Sequence, residues 1–114
     1  MKNIDLKEIY AVLSNEPRLR SLVLVAGAGE VCVCDAMTAL GITQPAASKA
    51  LNRLKEVGML SDRRDANWNY FRLREDLPAP LAGLVELTVS ELSGRRPYVD
   101  DARRLRKQAV RPCA

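Results

Sequence analysis

Two cysteines separated by one residue, Cys32-Val33-Cys34, run directly into Asp35, and a third, Cys113, lies far from them in sequence. Thiolate is a soft donor, so two of them this close together suit a soft ion. The spacing disfavours a mutual disulfide between Cys32 and Cys34, and an odd number of cysteines argues against a secreted disulfide scaffold. The pair falls where an extended segment turns into a short helix. Unpartnered backbone amides at a helix start favour thiolate over thiol, so a lowered thiol pKa is expected there. Packing as small hydrophobes is the competing role, but Val31 and Val33 already supply apolar side chains to the segment.

A second set of reactive side chains lies on a neighbouring stretch. Gln44, Ser48, Lys49, Asn52 and Arg53 occupy the positions left over by the apolar stripe Ala47, Leu51, Leu54 and Val57. These side-chain types pair with base edges and phosphates, and the N-terminal half of such a helix is what normally reaches into the major groove. A solvated helix face would look the same in isolation. The surroundings decide: a capped helix, a short helix before it and a basic hairpin after it, bearing Arg63, Arg64 and Arg72, together fit a DNA-binding unit. Catalysis has little to work with. Histidine is absent, no glycine-rich loop is placed to cradle a phosphate, and no acid–base pair stands out, so the chain is expected not to be an enzyme and to need no organic cofactor.

The elements that must hold these residues follow from periodicity and punctuation. Leu6, Ile9, Tyr10 and Leu13 recur at helical spacing. Asn15 and Pro17 start a second helix through Leu19, Leu22, Val23 and Val25, and Gly27 and Gly29 end it. Glu30-Val31-Cys32 is extended, and residues 35–40 form a compact third helix closed by Gly41. Thr43 caps the fourth, with Pro45 in its first turn and Gly58 at its end. Residues 60–65 and 68–73 alternate apolar with polar across Ala66-Asn67, the pattern of a two-stranded hairpin. Leu81, Leu84, Val85, Thr88 and Leu92 mark a fifth helix, and a last basic helix from Val99 to about Val110 has a thin apolar stripe. The fold class expected is mainly α with a small β-hairpin wing, a winged helix-turn-helix.

With 114 residues, 47% of them hydrophobic and 28% charged, the chain has the makings of one globular core. Residues 1–94 are assigned to the DNA-binding and dimerisation domain, and residues 95–114 to a basic C-terminal tail. The tail carries seven of the cations (Arg95, Arg96, Arg103, Arg104, Arg106, Lys107, Arg111) against Asp100 and Asp101, a net of +5 that exceeds the chain's formal +4 and leaves residues 1–94 at about −1. A solvated helix or frayed end is the favoured reading of it. The start of the chain lacks the apolar stretch and cleavage site of a secretory signal, and no apolar run is long enough to span a bilayer, so a cytoplasmic protein without a membrane partner is expected.

The run Thr43-Gln44-Pro45-Ala46-Ala47-Ser48-Lys49-Ala50-Leu51, the later Leu54-Lys55-Glu56-Val57-Gly58-Met59-Leu60, and the wing from Asp62-Arg63-Arg64 to Trp68-Asn69-Tyr70-Phe71-Arg72-Leu73 resemble the arsenical-resistance repressors of the ArsR type, from about Ile9 to Pro80. The resemblance implies double-stranded operator DNA as partner, with Pro45 joining Gln44, Ser48, Lys49, Asn52, Arg53, Arg63 and Arg64 as DNA-binding candidates. It also implies a homodimer built on the first and fifth helices, through Leu6, Ile9, Leu13, Leu81, Leu84, Val85 and Leu92. The matching Cys-Val-Cys-Asp in that family implies trivalent arsenic or antimony, As(III) or Sb(III), as inducer bound by Cys32 and Cys34. Where the family's metalloid motif has a third cysteine this chain has Met37, whose thioether cannot become a thiolate. Cys113 is the remaining thiol. It folds back on its own subunit, reaches across the dimer, or is a spare cysteine with a solvent oxygen in its place, and the sequence leaves these open. Cadmium or lead sensing ranks second, since sensors of this type add cysteines from an N-terminal arm and this chain has none before Cys32. Zinc, cobalt and nickel sensors use histidine, and a redox-responsive repressor using Cys34 or Cys113 is the other alternative. Two further departures are expected to matter. Family members often have glycine at the wing turn, where Asn67 is expected to take the positive φ in preference to Ala66, and Ala50 follows Lys49 where a second basic or aromatic residue is common.

Overall fold

A computed structural model describes residues 5–108. Helix α1 (Leu6–Leu13) starts at Asp5, whose carboxylate accepts the Glu8 amide at 3.2 Å, and α2 (Glu16–Ala28) starts at Asn15, whose side chain accepts the Arg18 amide at 3.1 Å. Each cap satisfies a donor that the first helical turn would otherwise leave open. A short strand β1 (Val31–Cys32) leads directly into α3 (Val33–Leu40). Gly41 ends α3 in the left-handed region at φ 69°, a conformation that costs a side-chain-bearing residue more than glycine, and the amides of Gly41 and Ile42 both return to the Met37 carbonyl. That turn aims α4 (Gln44–Glu56), which Thr43 caps through the Ala46 amide at 3.3 Å.

Strands β2 (Leu60–Asp65) and β3 (Trp68–Leu73) form the expected hairpin, with Asp65 facing Trp68 across a two-residue turn. Two details differ from expectation. Ala66, not Asn67, takes the positive φ, at 56°, since a two-residue turn in this register fixes which position must be left-handed. The sheet also has three strands in the order β1-β3-β2, because Val31 and Cys32 pair with Phe71 and Tyr70 on the open edge of β3. The thiol segment is therefore hydrogen-bonded to the wing.

The core gathers Leu22, Val25, Val31, Leu51, Leu54, Met59, Leu60 and Phe71, all essentially sealed from solvent. Phe71 is the chain's single phenylalanine, and burying a side chain of this size stabilises the fold by about 2–3 kcal/mol. Helix α5 (Ala79–Leu92) lays Leu81 and Val85 onto this core. No helix among the described residues is long and apolar enough to cross a membrane.

The greatest departure from the sequence reading is α6 (Tyr98–Gln108). It is not a solvated extension but is packed against α2 and α3 through polar contacts. Asp101 is only 1% exposed, and Arg20 of α2 grips its carboxylate through Nε at 2.9 Å and Nη2 at 2.6 Å. Arg104 adds a third hydrogen bond at 2.7 Å and donates its Nε to the Ala39 carbonyl at 2.7 Å. Arg20 reaches the Leu40 carbonyl at 3.0 Å. These bonds satisfy the carbonyls left open at the end of α3, and the carboxylate between the guanidiniums holds Arg20 above its ordinary pKa.

Candidate nucleic-acid interface and thiol site

On α4, the buried residues Ala47, Ala50, Leu51 and Leu54 face the core. Two ridges at four-residue spacing, Gln44–Ser48–Asn52 and Pro45–Lys49–Arg53, therefore share the outer face. Gln44, Pro45 and Lys49 are exposed, while Ser48, Asn52 and Arg53 are half-buried. Asn52 donates to the Ser48 carbonyl at 2.9 Å and to its hydroxyl at 3.3 Å, which fixes the amide orientation and leaves its carbonyl oxygen pointing away from those bonds. Arg53 lies 3.4 Å from Glu56, a loose exposed pair that a phosphate can displace.

The two wing arginines divide their labour. Arg63 is committed: its Nε and Nη2 hold Glu30 at 2.8 and 2.7 Å, and its guanidinium lies over the Tyr70 ring at 4.7 Å. The hydrogen bonds from Arg63 hold the Glu30 carboxyl below its usual range. Arg64 is exposed and enters no ion pair among the described residues, so it is the cation the wing presents. Nothing local to Arg63-Arg64 separates the two, because the distinction depends on Glu30 sitting next to the β1 edge.

Cys32 and Cys34 occupy unlike places. Cys32 is 3% exposed and a free thiol at the junction of β1 and α3. Burial pushes its pKa up, and the amides of Asp35 and Cys34, which pull it down, do not make up the difference. The lowered value expected from the helix start is thus reversed for Cys32, since removing a thiolate from water costs more than two amide dipoles return. Cys34 lies one residue inside α3, half-buried, and is not a free thiol. Met37, one turn further on, packs against the core. Cys113 lies outside the described residues. No three His, Cys, Asp or Glu side chains come together among the described residues; with Cys34 reduced, the two thiols would make a sulfur donor set, which fits a thiophilic metalloid and not a hard cation.

The dimerisation residues named from the sequence also separate. Ile9, Leu81 and Val85 are 2%, 3% and 4% exposed within the protomer's own core and cannot meet a second chain, because α1 and α5 need these positions to pack at all. Leu6, Leu13, Leu84 and Leu92 remain at or near the surface. Tyr10 and Leu87, 61% and 64% exposed, join Leu13, Leu84 and Leu92 around an apolar groove of about 370 Å³ between α1, α2 and α5, which Leu6 does not line. Their apolar character was visible in the sequence, but not which flank of each helix faces out.

Residues 15–62 match the bacterial regulatory protein, arsR family. The chain is 38% identical over 105 residues to the arsenic resistance transcriptional regulator ArsR2 of Pseudomonas putida, covering 92% of this chain and 90% of that one. Among solved structures it is similar to the AntR antimony-specific transcriptional repressor, with 26% identity, a TM-score of 0.63, and coverage of 82% of this chain and 87% of that one. It is also similar to the homodimeric winged helix-turn-helix DNA-binding domain Mb0332 of Mycobacterium bovis, described as a possible ArsR-family regulator, with 34% identity, a TM-score of 0.61, and coverage of 76% and 80%.

Proposed function

The chain belongs to the arsR family of bacterial regulatory proteins, and from that premise we propose that it is a cytoplasmic homodimeric repressor that leaves its operator when Cys32 and Cys34 capture trivalent arsenic or antimony. The observation that carries this reading is the position of the two cysteines. They straddle the point where β1, paired to wing strand β3, becomes α3, the helix that packs against α4. Seating an ion there draws the two sulfurs together and shifts β1 and α3 at once. The movement passes to the wing through the Cys32–Tyr70 register and the Glu30–Arg63 clamp, and to α4 through the α3–α4 turn.

Each recognition helix then presents Gln44, Pro45, Ser48, Lys49, Asn52 and Arg53 to one half-site, with Arg64 on the flanking phosphates. Two helices must keep the spacing of two half-sites, so a small rotation of each α4 suffices to lower affinity. The groove between α1 and α5 closes the dimer, in keeping with its apolar lining and with the homodimeric relative. With Cys34 reduced, arsenic or antimony bonded to both sulfurs takes its third bond from Cys113 or from solvent.

The test uses a duplex selected by the protein itself from a random library. Operator binding by the reduced protein is followed while arsenite, antimonite, cadmium or peroxide is added, and again for Cys32→Ser and Cys34→Ser. Arsenite or antimonite should release the parent, and each serine variant should need at least a hundredfold more. Variants that release like the parent, release by cadmium alone, or release by peroxide at arsenite concentrations without effect would each overturn the inducer assignment.

A further inference from the structure

We propose that Arg20, Asp101 and Arg104 are positioning residues for DNA binding: together they brace α6 across the end of α3 and so fix the angle at which α4 leaves it; this rests on α4 being the recognition helix. Only Gly41, Ile42 and Thr43 separate the end of α3 from the first turn of α4. With so short a link, a tilt at the end of α3 reappears in the direction of α4. The carbonyls of Ala39 and Leu40 lie in the last turn of α3, where the helix itself offers them no amide. Side chains from two other helices hold them instead. Arg104 of α6 donates its Nε to Ala39 at 2.7 Å, and Arg20 of α2 donates Nη2 to Leu40 at 3.0 Å. Both guanidiniums also close on the one carboxylate of Asp101, so α2, α3 and α6 meet in a single junction. Helix α4 packs on α2 as well as on α3, and the junction thus ties together the two helices that support it.

Apolar contact between helices is non-directional and tolerates sliding. A guanidinium fork meets carboxylate and carbonyl oxygens along fixed directions, so a junction built from forks has one register. Burying the Asp101 carboxylate to 1% exposure is costly, and an apolar seam of the same volume would hold α6 as firmly. What the charged junction adds is a defined geometry at the end of α3. Gln108 supplies a second tie near the start of that helix, donating to the Asp35 carbonyl at 2.9 Å. Helix α6 therefore runs antiparallel along α3 and is fastened near both of its ends, which keeps α3 from pivoting under α4.

The experiment compares the full-length reduced parent with Arg104→Met and Arg104→Lys on two duplexes, the one the protein selects from a random library and a scrambled one of equal length, over a range of salt. Arg104→Met removes the bond to the Ala39 carbonyl while Arg20 still pairs with Asp101, so the buried charge stays compensated. It should bind the selected duplex about tenfold more weakly, with affinity for the scrambled duplex and the salt dependence both as in the parent. Arg104→Lys keeps the charge without the fork and should show most of the same loss. Full recovery in Arg104→Lys with a shallower salt dependence in Arg104→Met would make Arg104 a phosphate contact and overturn the brace. An equal loss on both duplexes at unchanged salt dependence would mean fewer folded molecules and would overturn it too, as would parent-like discrimination in both variants. A parent that selects no sequence from the library would instead remove the reading of α4 on which the brace rests.

Discussion

Replacing Asp101 by alanine should lower the stability of the protein by about 3 kcal/mol, the lower end for breaking a buried ion pair. The carboxylate is the shared acceptor for Arg20 and Arg104, and its loss leaves two guanidiniums facing each other across an empty place. Arg20 is 13% exposed, retains Glu16 at 3.6 Å and keeps the Leu40 carbonyl, which is why the upper end is not expected. Urea unfolding of parent and variant gives the difference directly, and amide exchange along α6 tells whether the helix parts first. Asp101→Asn, which keeps an acceptor without the charge, should fall between them. An unchanged midpoint together with unchanged protection of α6 would show that the network is incidental.

Replacing Leu87 by glutamate should leave the protomer folded and lower operator affinity by a factor of about 10² or more. Leu87 is 64% exposed, so a charge there costs the isolated protomer little. In the proposed dimer the partner subunit covers the apolar groove that Leu87 lines with Tyr10, Leu84 and Leu92, and two-fold symmetry puts one such charge into the interface from each subunit. Like charges in a dry interface separate the subunits, and a lone recognition helix then binds one half-site without the gain of the second. Sedimentation of the variant should give a monomer with parent-like helicity. A dimer of undiminished operator affinity would move the subunit contact away from α1 and α5.

How far the sequence led depended on what kind of order each element uses. Asn15, Thr43, Gly41 and Gly58 are local signals, and the helices and hairpin they bound came out where periodicity put them. Two-residue β1 was read as extended, but nothing in Val31-Cys32 announces that β3 has an open edge to receive it. Helix α6 differs from the solvated helix its sequence suggests because its docking is largely polar. An Asp-Asp pair in a basic run reads as a solvated helix until Arg20, more than seventy residues earlier, is known to face it. At the site, the residue types were legible and their environments were not. The sequence shows two cysteines at a helix start, but only the paired strand makes Cys32 a buried, reluctant thiol. In the same way Arg63 and Arg64 are equivalent on paper, and Glu30 separates them. Hydrophobic spacing placed Ile9, Leu81 and Val85 on the correct faces of α1 and α5, yet those faces look inward.

In the proposed mechanism, thiol occupancy at the β1–α3 junction and operator binding share one free energy. Coupling of about 1–3 kcal/mol corresponds to a factor of about 5 to 150, and linkage requires the same factor in both directions. The direct measurement is the arsenite affinity of the reduced protein, free and saturated with its selected operator duplex. The affinity should be weaker on DNA by the factor through which arsenite weakens operator binding. Equal arsenite affinity with and without DNA would show that the two binding events are uncoupled.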